Sequence, residues 1–391
     1  MSCSFEHKST LHMSQRQNRR QGAVRALFFS QWLVTLCWIV FSHAVHAAPD
    51  NAANERQFFV SGTIGSWVEN LMFVRHRPAH RAVGKYPVVM IHGAAQTGAV
   101  WLGTPDGRSG WADYFVEHGH DVYVVDQPGS GQSAYHPSYG ALARLSAAQV
   151  ERIFSSPARF QAWPQAARHT QFPGEGSNRG LRGEPVFERF YANQVPFVGR
   201  AALGERLMRE AGAALLDRIG PAILVTHSQS GPYGWVIAEA RPMLVKAIVA
   251  IEPTGPPLRN AVFGTAPARP WGITETPLAY DPPITDPKQL KVVEQPAPDG
   301  PNLVACMQQG QPAHQLTNLR NIPVMVFVAE ASYHAVYDHC TAKWLSQAGV
   351  KTDFVRLEDA GLRGNGHMVM IEKNSLEIAA LVQRWIESNV R

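Results

Sequence analysis

Residues 222–234, Ala-Ile-Leu-Val-Thr-His-Ser-Gln-Ser-Gly-Pro-Tyr-Gly, carry a buried-type apolar strand into a serine, then into a turn of small residues and a helix. A strand-to-helix turn this sharp lifts a serine hydroxyl off the carboxyl end of a sheet. It sets that hydroxyl at a helix N-terminus, where backbone N–H groups can face a developing oxyanion. The chemistry open to Ser228 is therefore nucleophilic attack on a carbonyl carbon. The usual pattern is Gly-x-Ser-x-Gly, and here Thr226 and Ser230 stand at the glycine positions. Both are small, as crowding across the turn demands, and Gly231 adds slack one residue later. Ser230 is the alternative nucleophile, but it would place Pro232 two residues after itself, which fits the turn less well.

A serine of this kind needs a base, and the base needs an orienting acid in the chain order Ser, Asp or Glu, His. His367 lies in a glycine-rich loop, 358–368, after the strand expected over 352–357 and before an amphipathic helix expected over 376–388. It is the candidate base; His334 and His339 are the late competitors, and neither follows the final strand. Two glutamates sit at strand ends and compete for the acid: Glu252, after 245–251, and Glu330, after 323–329. Upstream, the apolar run 86–91 ends in His92-Gly93-Ala94-Ala95. The N–H of Ala94 and that of Gln229, just after the serine, are the candidate oxyanion donors. His92 reads as a strand-end histidine satisfied by backbone.

The next strand, 121–125, runs into Asp126-Gln127-Pro128-Gly129-Ser130-Gly131-Gln132-Ser133. His-Gly after one strand, Asp-x-x-Gly-x-Gly-x-Ser after the next and then the serine turn, in this order, resemble the α/β-hydrolase superfamily. The resemblance implies a mostly parallel central sheet flanked by helices, and Asp126 as a structural turn-former. It implies His367 as the general base. The commoner acid position in that superfamily is the one Glu330 closes. However, 251–257, Ile-Glu-Pro-Thr-Gly-Pro-Pro, is a rigid loop, and the chain resembles a small group of atypical secreted bacterial esterases whose acid is a glutamate 24 residues beyond the serine. Glu252 is that residue here, since 252 − 228 = 24. The small side chains after His92-Gly93 and Trp101 are similar to that group as well.

The elements needed to hold these residues are legible. Helical stretches expected over 111–118, 201–219, 233–240 and 335–348 alternate with the strands, which implies parallel βαβ units. The first apolar runs, 57–64 and 70–75, read as an antiparallel start to the sheet. Residues 133–197 change character: they are rich in Arg, Gln, Pro and Gly and carry Phe160, Trp163, Phe172, Phe187, Phe190 and Tyr191. They sit where a cap is inserted over the strand ends in the superfamily. Residues 254–317, with many prolines, read as a second long excursion.

Residues 1–47 read as a secretory signal peptide: Lys8, Arg16, Arg19, Arg20 and Arg25, then an uncharged apolar stretch 26–42, then cleavage after Ala47. That leaves 48–391 as the hydrolase domain. The whole chain carries a formal charge of +5, and the leader, with five basic residues and one acid, holds +4 of it. The mature protein is thus close to neutral (5 − 4 = +1), which gives no reason to expect nucleic acid as a partner. No membrane anchor is expected once the leader is gone. Cys3 and Cys37 leave with it, so Cys306 and Cys340 remain, to pair in an oxidising compartment or to stay as buried thiols. No metal or cofactor pattern is present: no His-Glu-x-x-His, no paired Cys-x-x-Cys, no phosphate-binding lysine loop and no dinucleotide fingerprint.

The expectation is a secreted or periplasmic serine esterase acting on a small-molecule ester through Ser228, His367 and Glu252, with Ala94 and Gln229 as the oxyanion donors. Lactone, thioester or amide cleavage would use the same residues, and a non-catalytic binding protein of the same fold is the alternative of a different class.

Overall fold

The computed structural model describes residues 55–64, 68–81 and 85–390. The expected leader, 1–47, lies outside the described residues. Eight strands form one sheet: β1 Arg56–Ile64, β2 Val68–Arg77, β3 Val88–Ile91, β4 Val122–Asp126, β5 Ala222–His227, β6 Val245–Ile251, β7 Val324–Val328 and β8 Thr352–Arg356, in the spatial order β1-β2-β4-β3-β5-β6-β7-β8. The hairpin β1–β2 and the pair β2–β4 are antiparallel, and every pairing from β4 to β8 is parallel.

The parallel strands are apolar without interruption because both faces of the sheet are covered. In β5, Leu224 points into a cluster with Val326, Trp235, Ile237, Leu215 and Trp344, whereas Ile223 and Val225 point into an opposite cluster with Phe327, Phe115, Ile378 and Val382. The helices supplying those layers are α1 Trp111–Glu117, α2 Pro185–Ala192, α3 Ala201–Ile219, α4 Gly231–Ala240, α5 Asp338–Gln347 and α6 Ser375–Asn389. Two helix starts differ from expectation for local reasons. Helix α4 begins two residues early, because Pro232 is suited to a first turn whose N–H groups have no intrahelical acceptor. The stretch expected as one helix over 335–348 is a separate 3₁₀ turn, Tyr333–Val336, followed by α5, with the Ser332 hydroxyl accepting the N–H of His334 at the start of that turn.

Residues 133–197 contain no strand of the main sheet; they are short helical pieces whose Phe154, Phe172, Phe187 and Phe190 join the second core cluster. They reach the carboxyl ends of the strands, where the N–H groups of Thr170 and Gln171 donate to the carbonyl of Gly364 and the indole of Trp163 donates to that of Ala331. The excursion 254–317 is pinned by small two-stranded pairings and by a disulfide between Cys306 and Cys340 of α5, so the remaining cysteines are paired. Among the described residues no helix is long and apolar enough to cross a membrane.

Candidate active site

Ser228 ends β5 and opens a 3₁₀ turn, Ser228–Ser230, that runs directly into α4. Its φ is +56°, a conformation that a non-glycine residue adopts only when its surroundings dictate it. Ser230 is buried, and its hydroxyl accepts the N–H of His227 at 2.7 Å and donates to the carbonyl of Ile91 at 2.8 Å, tying the turn to β3. That hydroxyl is spent on the backbone, whereas Ser228 is only half-buried. A Cβ on Gly93 would stand 2.8 Å from Nδ1 of His227 and 3.0 Å from Cβ of Ser228. The His-Gly pair is therefore a requirement of close approach.

This approach brings the strand end bearing Ala94 against the serine turn. The N–H of Gln229 is a first-turn donor, with no carbonyl before it in the helix to take it. The Gln229 side chain donates to the carbonyl of Val198 at 3.0 Å and so points away from the turn. His92 is buried, with Nδ1 2.8 Å from the carbonyl of Gly93 and Nε2 accepting the N–H of Gln127 at 3.1 Å; burial holds its pKa below the ordinary imidazole value. Asp126 accepts the N–H groups of Gly98 at 2.7 Å and Gln132 at 2.8 Å, the bonds of a turn-former.

Nδ1 of His367 is in direct contact with Oε2 of Glu252. Both side chains are fully buried. Glu252 follows β6 at φ +47°. Its Oε1 accepts the N–H of Ala329 at 2.8 Å and its Oε2 accepts the hydroxyl of Ser332 at 2.7 Å. The acid loop also packs on the serine turn: the N–H of Thr254 donates to the carbonyl of Ser228 at 3.0 Å, and a Cβ on Gly231 would come within 2.3 Å of Cβ of Pro253. Glu330 lies apart from this contact. It accepts the N–H of Gly364 at 2.9 Å and faces Arg363 at 3.3 Å, holding the backbone of the histidine loop.

The loop around His367 is built from the other side by Glu372, which accepts the N–H of Gly366, the amide of Asn365 and a ring nitrogen of His169 at 2.7 Å. Glycines are needed here, since a Cβ on Gly364 would stand 2.1 Å from the Thr170 hydroxyl and its φ is +77°. The carbonyl of His367 lies 2.9 Å from Nε2 of His227, so the residue before the serine also fixes the base. The imidazole of His367 is packed by two near-parallel rings, Phe154 at 5.5 Å and His334 at 4.8 Å between centroids.

Burial first, and His334 next, push the His367 pKa well below the ordinary imidazole value, so the resting ring is a neutral base. Burial pushes the Glu252 carboxyl up to about 7, opposed by His334 and by the donors Ala329 and Ser332. The partner of Nε2 of His367 is the hydroxyl of Tyr333, at 3.3 Å, which also lies near Ser228. Ser228, His367, Glu252, Ala94 and Gln229 are thus brought together. His227, Ser332 and Tyr333 complete the cluster without having been singled out by the sequence.

Among the described residues two buried groups have donor types that metals take: Glu252, His334 and His367, and Cys306, His339 and Cys340. In the first, the carboxylate and imidazole are committed to each other; in the second, the sulfurs are bonded together.

The sheet order and the serine turn at the end of β5 are those of the alpha/beta hydrolases. Residues 88–381 match the alpha/beta hydrolase family, and the chain belongs to it. Among curated proteins it is similar to one named probable secreted lipase phiG, from Fungal sp. (strain ATCC 74256), with 43% identity over 345 residues, 88% of this chain and 93% of that protein. Among solved structures it is similar to a novel bacterial esterase, with a TM-score of 0.57 at 23% identity, covering 87% of this chain and 96% of that one. A naproxen esterase (carboxylesterase NP) from Bacillus subtilis aligns with a TM-score of 0.39 at 11% identity, over 85% and 91% of the two chains.

Proposed function

We propose that this protein is a secreted or periplasmic serine hydrolase that cleaves carboxylic esters through an acyl-enzyme. Ser228 attacks the ester carbonyl while Nε2 of His367 takes its proton, and Glu252 holds the imidazolium at Nδ1. The N–H groups of Ala94 and Gln229 receive the oxyanion of the tetrahedral intermediate. The alcohol leaves with the proton from His367, and a water activated by the same nitrogen releases the acid.

The observation that carries this reading is the buried contact between Nδ1 of His367 and Glu252, set beside a serine at φ +56° on a strand-to-helix turn. Supporting it are the relative named a lipase and the fold shared with an esterase. Residues 133–197 act as the cap, Phe154 packing the catalytic imidazole and Trp163 holding the loop before Tyr333. Export is supported by the basic and apolar leader, by the word secreted in the relative's name and by a disulfide, which persists in oxidising compartments.

The test uses purified mature protein, a labelled fluorophosphonate and p-nitrophenyl esters of increasing acyl length. Wild type should be labelled at Ser228 and turn over esters, and Ser228→Ala should do neither. Ester cleavage surviving in Ser228→Ala would overturn the mechanism. Absence of both labelling and turnover in wild type would point to a binding protein.

A further inference from the structure

Tyr333 opens the 3₁₀ turn Tyr333–Val336 and is presented by the residue that braces the acid, since Ser332 donates to Glu252 and accepts the N–H of His334. Its hydroxyl lies 3.3 Å from Nε2 of His367 and near the Ser228 side chain. The ring is held among Trp163, Phe263 and His334, with centroids 5.6, 4.9 and 4.4 Å away, and Trp163 is itself anchored to the carbonyl of Ala331 at 2.9 Å. A group gripped this firmly places its O–H reproducibly. Burial, with the charge of Glu252 next, raises the pKa of the phenol above its ordinary value, so it keeps its proton throughout the working range and acts only as a hydrogen-bonding group.

The position matters because of what else must come there. When the tetrahedral intermediate collapses, the proton on Nε2 passes to the departing alcohol oxygen, so that oxygen has to lie within hydrogen-bond reach of Nε2. The phenolic oxygen already lies within such reach. We propose that Tyr333 is a catalytic residue on the leaving-group side: its O–H donates a hydrogen bond to the ester's alcohol oxygen as the carbon–oxygen bond breaks, which suits the site to esters of aliphatic alcohols.

This rests on Ser228 being the nucleophile. In the step, the Ser228 Oγ–carbon bond forms and the carbon–alcohol oxygen bond breaks, with its electron pair going to the alcohol oxygen. The proton released by Ser228 travels through Nε2 of His367 to that oxygen, and Tyr333 keeps its own. An alkoxide is a far stronger base than p-nitrophenoxide, so it gains most from a donor. The half-exposed Phe263, at 54% exposure, packs on the Tyr333 ring and offers an aromatic surface to the alcohol's carbon chain.

The experiment compares wild type with Tyr333→Phe, which keeps the ring packing, on p-nitrophenyl and ethyl esters of one acid, and measures fluorophosphonate labelling of both proteins. The expected result is a loss of about 10²-fold in kcat/KM on the ethyl ester, the size seen when one charge-stabilising donor is removed, and less than about threefold on the p-nitrophenyl ester. Labelling at Ser228 should persist, since fluoride departs readily. An equal loss on both esters would overturn the proposal and make Tyr333 an oxyanion or positioning group. A gain on either ester would also overturn it and make Tyr333 an obstruction. Wild type that labels at Ser228 yet cleaves only the activated ester would overturn the substrate class. Wild type that does not label would remove the reading of Ser228 itself.

Discussion

The hydroxyl of Ser332 donates to Oε2 of Glu252 at 2.7 Å, and that oxygen is the one in contact with Nδ1 of His367. A hydrogen bond to a carboxylate favours its charged form, so Ser332 opposes the burial that pushes Glu252 upward. Ser332→Ala should lower kcat/KM at pH 7 by about tenfold, in line with 1.5 kcal/mol or so for a bond to a charged group, and move the acid limb of the pH profile upward. A profile that falls in height without moving would show that Ser332 only packs the turn.

The two strand-end glutamates should separate by readout. Glu252→Gln leaves His367 without a charge to balance its imidazolium, and kcat should fall by about 10³–10⁴-fold with little change in melting temperature. Glu330 holds Gly364 and Arg363, so Glu330→Gln should keep activity within about tenfold while lowering the melting temperature. Equal losses of activity in both variants would deny Glu252 its special place.

Much of this site is legible in the sequence because its parts are punctuated locally. Ser228 sits between a continuous apolar run and a Gly-Pro step, Gly93 follows a strand-end histidine, and His367 lies among Gly364, Gly366 and Asn365, where the backbone must pass close to other chain segments. The strands and helices announce themselves by periodicity, and their boundaries shift by only a few residues. What the sequence does not show is contact across long separations. Tyr333 and His367 are 34 residues apart, and Ser332 and Glu252 are 80 apart. Ser332-Tyr333-His334 is an unremarkable run until β7 delivers it to the end of β6. Glu252 and Glu330 both close strands, and the 24-residue spacing from Ser228 is the sequence feature that favours Glu252. The pairing of Cys306 with Cys340 belongs with the long-range contacts, one made by the path of the 254–317 excursion.

Gly93 should tolerate no side chain. Its added Cβ would meet His227 at 2.8 Å and Ser228 at 3.0 Å, and the two strand ends have no room to part because Ser230 bonds to Ile91. Gly93→Ala should cost about 1–3 kcal/mol of stability by overpacking and reduce kcat at least tenfold by displacing Ala94 from the serine. Wild-type turnover in this variant would refute the role of this approach in building the oxyanion site.

Removing the disulfide should cost stability and spare chemistry. Cys306 and Cys340 are separated by 34 positions, and closing a loop of that length restricts the unfolded chain by about 3–4 kcal/mol. The Cys306→Ser/Cys340→Ser double variant should melt several degrees lower by calorimetry, with kcat on p-nitrophenyl esters within about twofold of wild type. An unchanged melting temperature would show that the excursion is held by its packing alone.

The pH dependence follows from the signs of the shifts on the base and its acid. On the proposed mechanism catalysis requires a neutral Nε2 on His367, and burial holds this imidazole well below 6.5. A base with a depressed pKa stays deprotonated further into acid, whereas burial raises the Glu252 carboxyl to about 7, so the acid limb of kcat/KM should follow the carboxyl and lie near pH 7. Because His367 and Glu252 are in contact, that limb belongs to the pair. Burial holds His334 itself down to about 4, so its charge is absent across this limb. Replacing it in His334→Gln should therefore leave the limb in place, in a profile measured with p-nitrophenyl acetate. A limb well below 6.5 in wild type, or a marked move in the variant, would contradict the electrostatic account of how this pair is kept ready to accept the serine's proton.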